Sequence, residues 1–227
     1  MNPLTLLRRG LVVSCQPVDH GPMDRPEIVA AMAQAAVAGG ADGLRIEGVD
    51  NLAAVRPAVS VPIIAILKRD LDDSPVRITP FLKDVDALAA AGADIIAYDA
   101  TDRPRPAPSA AIVDAIRGSG ALAMADCATL ADGQRALREG ASILGTTLSG
   151  YTDETADRAD GLDTDLIGAF RALDAFVMAE GRVNTPELAA RAMQAGADAV
   201  TVGTALTRLE IMTDWFAAKI KSSPEDR

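Results

Sequence analysis

Gly39-Gly40-Ala41-Asp42 closes an alanine-rich stretch and opens an apolar one. The chain repeats the device at Ala91-Gly92-Ala93-Asp94, Glu139-Gly140-Ala141-Ser142 and Ala195-Gly196-Ala197-Asp198. A glycine at the end of an amphipathic helix supplies a left-handed cap, and the Ala-Asp or Ala-Ser pair leads straight back into a strand. The junctions fall about 50 residues apart, the length of two βα units, so they read as quarter-turns of an eightfold barrel. In such a barrel the working face lies at the C-terminal strand ends.

Outward from these junctions, short runs rich in Val, Ile, Leu and Ala predict strands over 11–16, 43–48, 62–68, 95–100, 122–127, 143–147, 175–181 and 199–205. Helical spacing is clearest over 26–39, 82–91, 109–117, 129–139, 164–173, 186–195 and 208–221, and weaker over 51–57. Strict alternation of β and α with no second run of strands implies a parallel sheet. The fold expected is α/β, a single (β/α)8 TIM barrel, with one domain over residues 1–227 and a flexible tail at 222–227.

Composition narrows the function. The chain is 49% hydrophobic and 24% charged, which suits a soluble enzyme with a sizeable core. Residues 1–9 lack the apolar stretch of a signal peptide, and no segment has the apolar length to span a bilayer, so a cytoplasmic location is expected. A net charge of −10 with 3% aromatic residues argues against a nucleic-acid partner. Cys15 and Cys127 fall on opposite sides of the expected barrel and read as buried thiols. The lone histidine, His20, reads as a loop bystander and rules out any multi-histidine metal site. There is no Cys-X-X-Cys, no Walker loop and no dinucleotide fingerprint, so neither metal nor cofactor is expected.

Polar residues stand where barrel strands should be apolar. Gln16, Arg45, Lys68, Asp99, Asp126 and Glu180 lie at six of the eight C-terminal strand ends. With side chains alternating between lumen and helix layer, Ile64 and Ile66 lie beneath Lys68, while Phe176 and Met178 lie beneath Glu180. One such charge could be a partnered ion plugging the mouth. Six together point to a site, because buried charge is costly without function or full pairing.

Glu180-Gly181-Arg182 after strand seven and Val202-Gly203-Thr204-Ala205 after strand eight, followed by Arg208, occupy the barrel's usual phosphate position. Glycines there let backbone N–H groups approach an anion. Arg208 near a helix start is unfavourable for the helix dipole unless an anion is present. Asn184-Thr185-Pro186-Glu187 reads as a helix cap with proline in the first turn.

Longer motifs add a resemblance. Ser14-Cys15-Gln16, Lys68-Arg69-Asp70, Asp73-Ser74, Ile78-Thr79-Pro80 and Asp99-Ala100-Thr101 with Arg103, Arg105 and Pro106 belong to it. So do Met124-Ala125-Asp126-Cys127, Gly145-Thr146-Thr147-Leu148-Ser149-Gly150-Tyr151-Thr152 and Ala179-Glu180-Gly181-Arg182 with Asn184-Thr185-Pro186. From about Gly10 to Phe216 the chain closely resembles the bacterial N-acetylmannosamine-6-phosphate 2-epimerases, phosphate-binding TIM barrels of sialic acid and amino-sugar catabolism that need no redox cofactor.

The resemblance implies roles residue by residue. Lys68 matches the catalytic lysine and Glu180 the catalytic glutamate. Gln16, Arg45 and Asp126 match sugar-contacting positions, and Arg208 with Gly181 and Gly203 matches the phosphate grip, which Arg182 and Thr204 extend. The chain departs from many members at Ile46-Glu47-Gly48, Arg77, Phe81 and Leu209; these departures are expected at the pocket rim, away from Lys68 and Glu180. Epimerisation at C2 of an open-chain sugar needs a base, an acid and stabilisation of an enolate. Either one residue serves both faces of C2 or Lys68 and Glu180 act from opposite faces. A Schiff-base aldolase using Lys68 and a catalytically silent sugar-phosphate sensor are the competing readings. Leu209, Met212, Trp215, Phe216 and Ile220 form an apolar stripe on the last helix. Packing against the barrel is expected to cover most of it, with part of the Trp215-Phe216 pair shared across a homodimer.

Overall fold

The junction glycines turn the chain as their lack of a side chain allows. In the computed structural model, which describes residues 2–158 and 160–222, Gly40, Gly92, Gly140 and Gly196 have φ of 101°, 94°, 102° and 111°. The aspartates that follow do more than re-enter the sheet. Asp42, Asp94 and Asp198 each accept the N–H that opens or adjoins the preceding strand, from Leu11 at 3.0 Å, Ile63 at 2.9 Å and Val177 at 2.9 Å. Their own N–H groups return bonds to the carbonyls of the same three residues. Each Gly-Ala-Asp therefore clamps two neighbouring strands at the N-terminal end of the barrel; Ser142 keeps only the backbone half, donating to Ala123.

The strands are β1 Leu11–Cys15, β2 Gly43–Glu47, β3 Ile63–Ile66, β4 Ile95–Asp99, β5 Leu122–Asp126, β6 Ile143–Gly145, β7 Phe176–Glu180 and β8 Ala199–Val202. All pair in parallel with their sequence neighbours, and β8 closes on β1 to complete a (β/α)8 barrel. The helices are α1 Pro3–Leu7, α2 Pro26–Ala38, α3 Val49–Val55, α4 Leu82–Ala90, α5 Ser109–Gly118, α6 Leu130–Glu139, α7 Thr164–Arg171, α8 Pro186–Gln194, α9 Thr204–Thr207 and α10 Leu209–Lys221. Short 3-10 turns add Arg56–Ala58 and Asp153–Arg158. No described helix is long and apolar enough to cross a membrane.

Alternation along the strands sorts the core into two parts. Val12, Ile64, Ile66, Ile95, Met124, Ile143, Phe176 and Met178 pack together in the lumen. Val13, Leu44, Ile46, Ala65, Ile96, Leu144 and Val177 face the helices and meet Val29, Leu52, Val85, Leu88, Ile116 and Phe170. Lys68 and Glu180 thus stand above the apolar columns expected of them. At the bottom, α1 closes the barrel with the fully buried Leu7. Burying a leucine side chain is worth about 1.5–3 kcal/mol. Asn2 caps this helix by accepting the Leu4 N–H at 3.0 Å, and Arg8 pairs with Asp198 at 2.6 Å. Five residues are too few to show a helical period, so this plug is invisible in the sequence pattern.

Three expectations need correction. The strand expected to run to 68 ends at Ile66, and Lys68 instead forms an antiparallel bridge with Ile78. The helix expected over 208–221 is broken at its start, because Arg208, with φ −106° and ψ 76°, separates α9 from α10. The apolar stripe of α10 is not covered by the barrel: Leu209, Phe216 and Ile220 are 63%, 66% and 73% exposed, and Trp215 is also exposed. Of the tail expected at 222–227, all but Ser222 lies outside the described residues. Thr185 caps α8 as expected, accepting the Leu188 N–H with Pro186 in the first turn.

Candidate active site

Three strands that are remote in sequence deliver one charged cluster. Arg45 of β2 is 1% exposed, and its guanidinium bonds both carboxylate oxygens of Asp126 of β5, at 3.1 and 2.6 Å. The same Nη1 reaches Glu180 of β7 at 2.9 Å. Thr147, just past β6, donates to Asp126 at 2.6 Å. The planar fork of arginine suits this two-oxygen grip, which a lysine could not reproduce. β6 can pass so close only because of Gly145: a Cβ there would sit 2.7 Å from Met124 Cε and 3.3 Å from Asp126 Oδ1.

This arrangement sets the proton affinities. Burial alone would lower that of Arg45, but Asp126 first and Glu180 second outweigh it and keep the guanidinium charged. Burial raises the Glu180 carboxyl to about 7; Arg45 opposes the rise and Asp126 adds to it. Lys68, half-buried, is held below the usual lysine range by burial, with Glu47 pulling the other way and Arg208 and Arg45 assisting the drop. Among the described residues no carboxylate lies within ion-pair distance of the Lys68 ammonium. An amine and a carboxyl that both exchange protons nearer neutrality than usual therefore stand in one barrel mouth.

The mouth holds a cavity of about 380 Å³ lined by Gln16, Arg45, Lys68, Asp99, Glu180, Gly181, Arg182, Gly203, Thr204 and Arg208, among others. Nearly all the residues singled out from the sequence therefore meet in one place; Asp126 stands directly behind the wall, bonded to Arg45. Gln16 donates to Ser14 Oγ at 2.8 Å, and its carbonyl accepts the Arg208 Nε at 3.2 Å. Thr207 ties α9 to the carbonyl of Ser14 at 2.7 Å, setting the β8 corner against β1.

Two residues are engaged otherwise than their sequence position suggests. The Arg182 guanidinium donates to the carbonyls of Gly161, Ser149 and Arg158 and lies 4.9 Å from the centre of the Tyr151 ring. It binds the loop after β6 to β7 and leaves the backbone as Arg182's offering to a ligand. Asp99 is drawn into its own loop, accepting from Thr101, Arg103 and Arg105. His20 is exposed and lies outside the cavity lining. Cys15 and Cys127 are free and buried, and burial pushes Cys15 up to about 12, so neither is poised as a nucleophile. No cluster of three or more His, Cys, Asp or Glu side chains suited to a metal occurs among the described residues.

The sequence reading missed two features of the site. Thr201 of β8 is 2% exposed, lines the cavity, and its hydroxyl has no hydrogen-bond partner among the described residues. Its signal was present, a polar residue at a lumen position of an otherwise apolar strand. Glu47, expected at the rim and away from Lys68, instead accepts the Lys68 backbone N–H at 3.2 Å.

Comparison with known proteins places the chain among relatives of one family. Residues 29–222 match the family model described as "Putative N-acetylmannosamine-6-phosphate epimerase". A relative from Actinobacillus pleuropneumoniae, named "Putative N-acetylmannosamine-6-phosphate 2-epimerase", is 60% identical over 97% of this chain and 95% of its own. A like-named relative from Haemophilus influenzae is 58% identical over 97% of this chain and 96% of its own. Among solved structures, the N-acetylmannosamine-6-phosphate 2-epimerase from Clostridium perfringens superposes with a TM-score of 0.92 at 38% identity, covering 95% of each chain.

Proposed function

The chain belongs to the N-acetylmannosamine-6-phosphate epimerase family, and from that membership we propose that it interconverts N-acetylmannosamine 6-phosphate and N-acetylglucosamine 6-phosphate by taking and returning the proton at C2. The observation that carries the mechanism is the convergence of Lys68, Glu180 and the Arg45–Asp126 pair on one cavity that Arg208, Gly181 and Gly203 also line. The phosphate end of the sugar is assigned to the Arg208 guanidinium and the backbone at Gly181, Arg182, Gly203 and Thr204. Gln16, Arg45 and the free hydroxyl of Thr201 are left for the sugar's oxygens.

In the open-chain form the C2 hydrogen is acidified by the neighbouring aldehyde. Lys68, depressed by burial, is the base that removes it; the electron pair moves into the enolate, and the nearby guanidinium of Arg45 offsets the charge. Glu180, raised toward neutrality, handles the proton of ring opening and closure and delivers a proton to the opposite face of the enolate at C2, giving the epimer. Asp126 holds Arg45 in place and charged. Every transfer is a proton transfer, so the reaction needs neither a hydride carrier nor a metal. A coupled assay of the purified protein on N-acetylmannosamine 6-phosphate tests the proposal: product N-acetylglucosamine 6-phosphate is expected, and an inactive but folded protein would contradict it.

Binding energy from the phosphate positions the reacting end. Arg208→Ala is expected to lower kcat/KM roughly 10²-fold or more, about 2.7 kcal/mol of transition-state stabilisation. Unphosphorylated N-acetylmannosamine should turn over poorly; equal turnover of both sugars would remove the phosphate corner from the account. We also place the protein in the cytoplasm as a homodimer formed through α10, whose exposed Leu209, Trp215, Phe216 and Ile220 form an apolar face unusual for a monomer. Light scattering at micromolar concentration should give twice the chain mass of 23.5 kDa, and a monomer mass would defeat this part.

A further inference from the structure

β2 leaves the barrel early. Gly48, with φ of 88°, turns the chain into α3 directly after Glu47, and its N–H makes the last ladder bond, to the Ile66 carbonyl at 2.9 Å. The next donor along β3's path that would face β2 is the N–H of Lys68, and the strand that should accept it has turned away. Glu47 Oε1 accepts it instead, at 3.2 Å. On the other side, Thr79 donates to the Leu67 carbonyl at 2.8 Å and Lys68 bridges Ile78. A carboxylate side chain thus replaces the missing ladder at the residue that carries the amine.

A neutral acceptor would serve that bond equally well, yet the acceptor here carries charge. Facing Lys68 are Arg45 and Glu47 from β2, Asp19 from the loop after β1, Arg208 between α9 and α10, and Glu180 from β7. Of these charges Glu47 acts most strongly on the lysine, in the direction that favours its protonated form. Burial raises the Glu47 carboxyl, its bond from the Lys68 N–H and the lysine's charge hold it down, and Asp19 and Asp24 raise it further.

We propose that Glu47 is a positioning residue for Lys68: one oxygen anchors the lysine's backbone, and its negative charge stabilises the ammonium formed when the amine takes the C2 proton. The proposal rests on Lys68 being the base. As the C–H bond breaks, its electron pair enters the enolate and the proton goes to Nζ, so positive charge appears where Glu47 can offset it. Glu47 also keeps Lys68 from becoming neutral at too low a pH.

The two roles separate by mutation. Glu47→Gln keeps an acceptor oxygen and removes the charge, so the acidic limb of the kcat/KM profile is expected to move toward lower pH by roughly one unit. The titration of Lys68 Nζ, followed by ¹⁵N NMR without substrate, should move in the same direction. Glu47→Ala removes both, and kcat should fall about tenfold or more with KM little changed, most of the loss being restored by Gln. A limb and an Nζ titration in Glu47→Gln that coincide with wild type would overturn the proposal, whatever the alanine variant does. Loss of C2 exchange in Lys68→Ala, alongside that unmoved limb, would leave the lysine's role standing and remove only that of Glu47.

Discussion

Replacing Lys68 by alanine is expected to abolish epimerisation and, with it, exchange of the C2 hydrogen with solvent. General base catalysis by a placed group contributes typically about 10²–10⁴-fold, so a loss of up to roughly 10⁴-fold is expected. The variant should fold normally, since the ammonium makes no ion pair among the described residues. Glu180→Ala should be nearly as damaging to turnover but leave some C2 exchange, because its work is assigned to ring opening and to protonation at the far face. Parallel assays of turnover by coupling and of exchange by NMR check both expectations. Wild-type exchange in Lys68→Ala would remove the lysine as base and send the search elsewhere in the mouth.

Arg45→Ala should act on the fold as well as on catalysis. It leaves the carboxylates of Asp126 and Glu180 side by side with their shared cation gone, Asp126 being fully buried. Breaking a buried pair by removing one partner costs about 3–5 kcal/mol, which in a chain of this size corresponds to a Tm lower by about 10 °C. Part of this cost is relieved by protonation of Glu180, whose carboxyl already titrates near 7. The sign follows. A carboxyl raised above its unfolded value favours the fold most below the unfolded pKa, and that contribution is lost as pH rises through about 7. The variant's deficit against wild type should therefore be larger at pH 8 than at pH 5.5. Arg45→Lys should recover little, because an ammonium cannot grip both oxygens of Asp126 and Glu180 together. Thermal unfolding at the two pH values measures this; a Tm within about 2 °C of wild type at both would show that the triad carries little of the fold's stability.

Much of this architecture was legible because it is periodic. Strand positions such as Ile95–Asp99 and Leu122–Asp126 follow from apolar runs between helical stretches, and the junction glycines announce the turns. The part played by Asp42, Asp94 and Asp198 was not legible, since each bonds a residue at the far end of the preceding βα unit. α1 escaped notice because five residues have no period, and α10 misled because an apolar stripe looks the same whether a barrel or solvent covers it.

The site divides in the same way. Polar residues at strand ends identified Gln16, Arg45, Lys68, Asp126 and Glu180 one by one, but their pairing depends on β2, β5 and β7 converging across the lumen. Asp99 looked equivalent to Asp126 in sequence and differs only through Arg103 and Arg105, which claim it locally. Glu47 was passed over as a rim residue because nothing in its neighbourhood along the chain shows that Gly48 ends the ladder and leaves the Lys68 N–H to be met by a side chain.

The central claim, that an amine takes the C2 hydrogen as a proton, is tested most directly by running the wild-type reaction in D₂O and reading C2 of the product by NMR. The proton that Lys68 removes joins two solvent deuterons on Nζ, and the proton delivered to the opposite face of C2 comes from a carboxyl that has exchanged with D₂O. Deuterium at C2 of the product is therefore the predicted result. Product that keeps its original C2 hydrogen in full would contradict proton abstraction by Lys68.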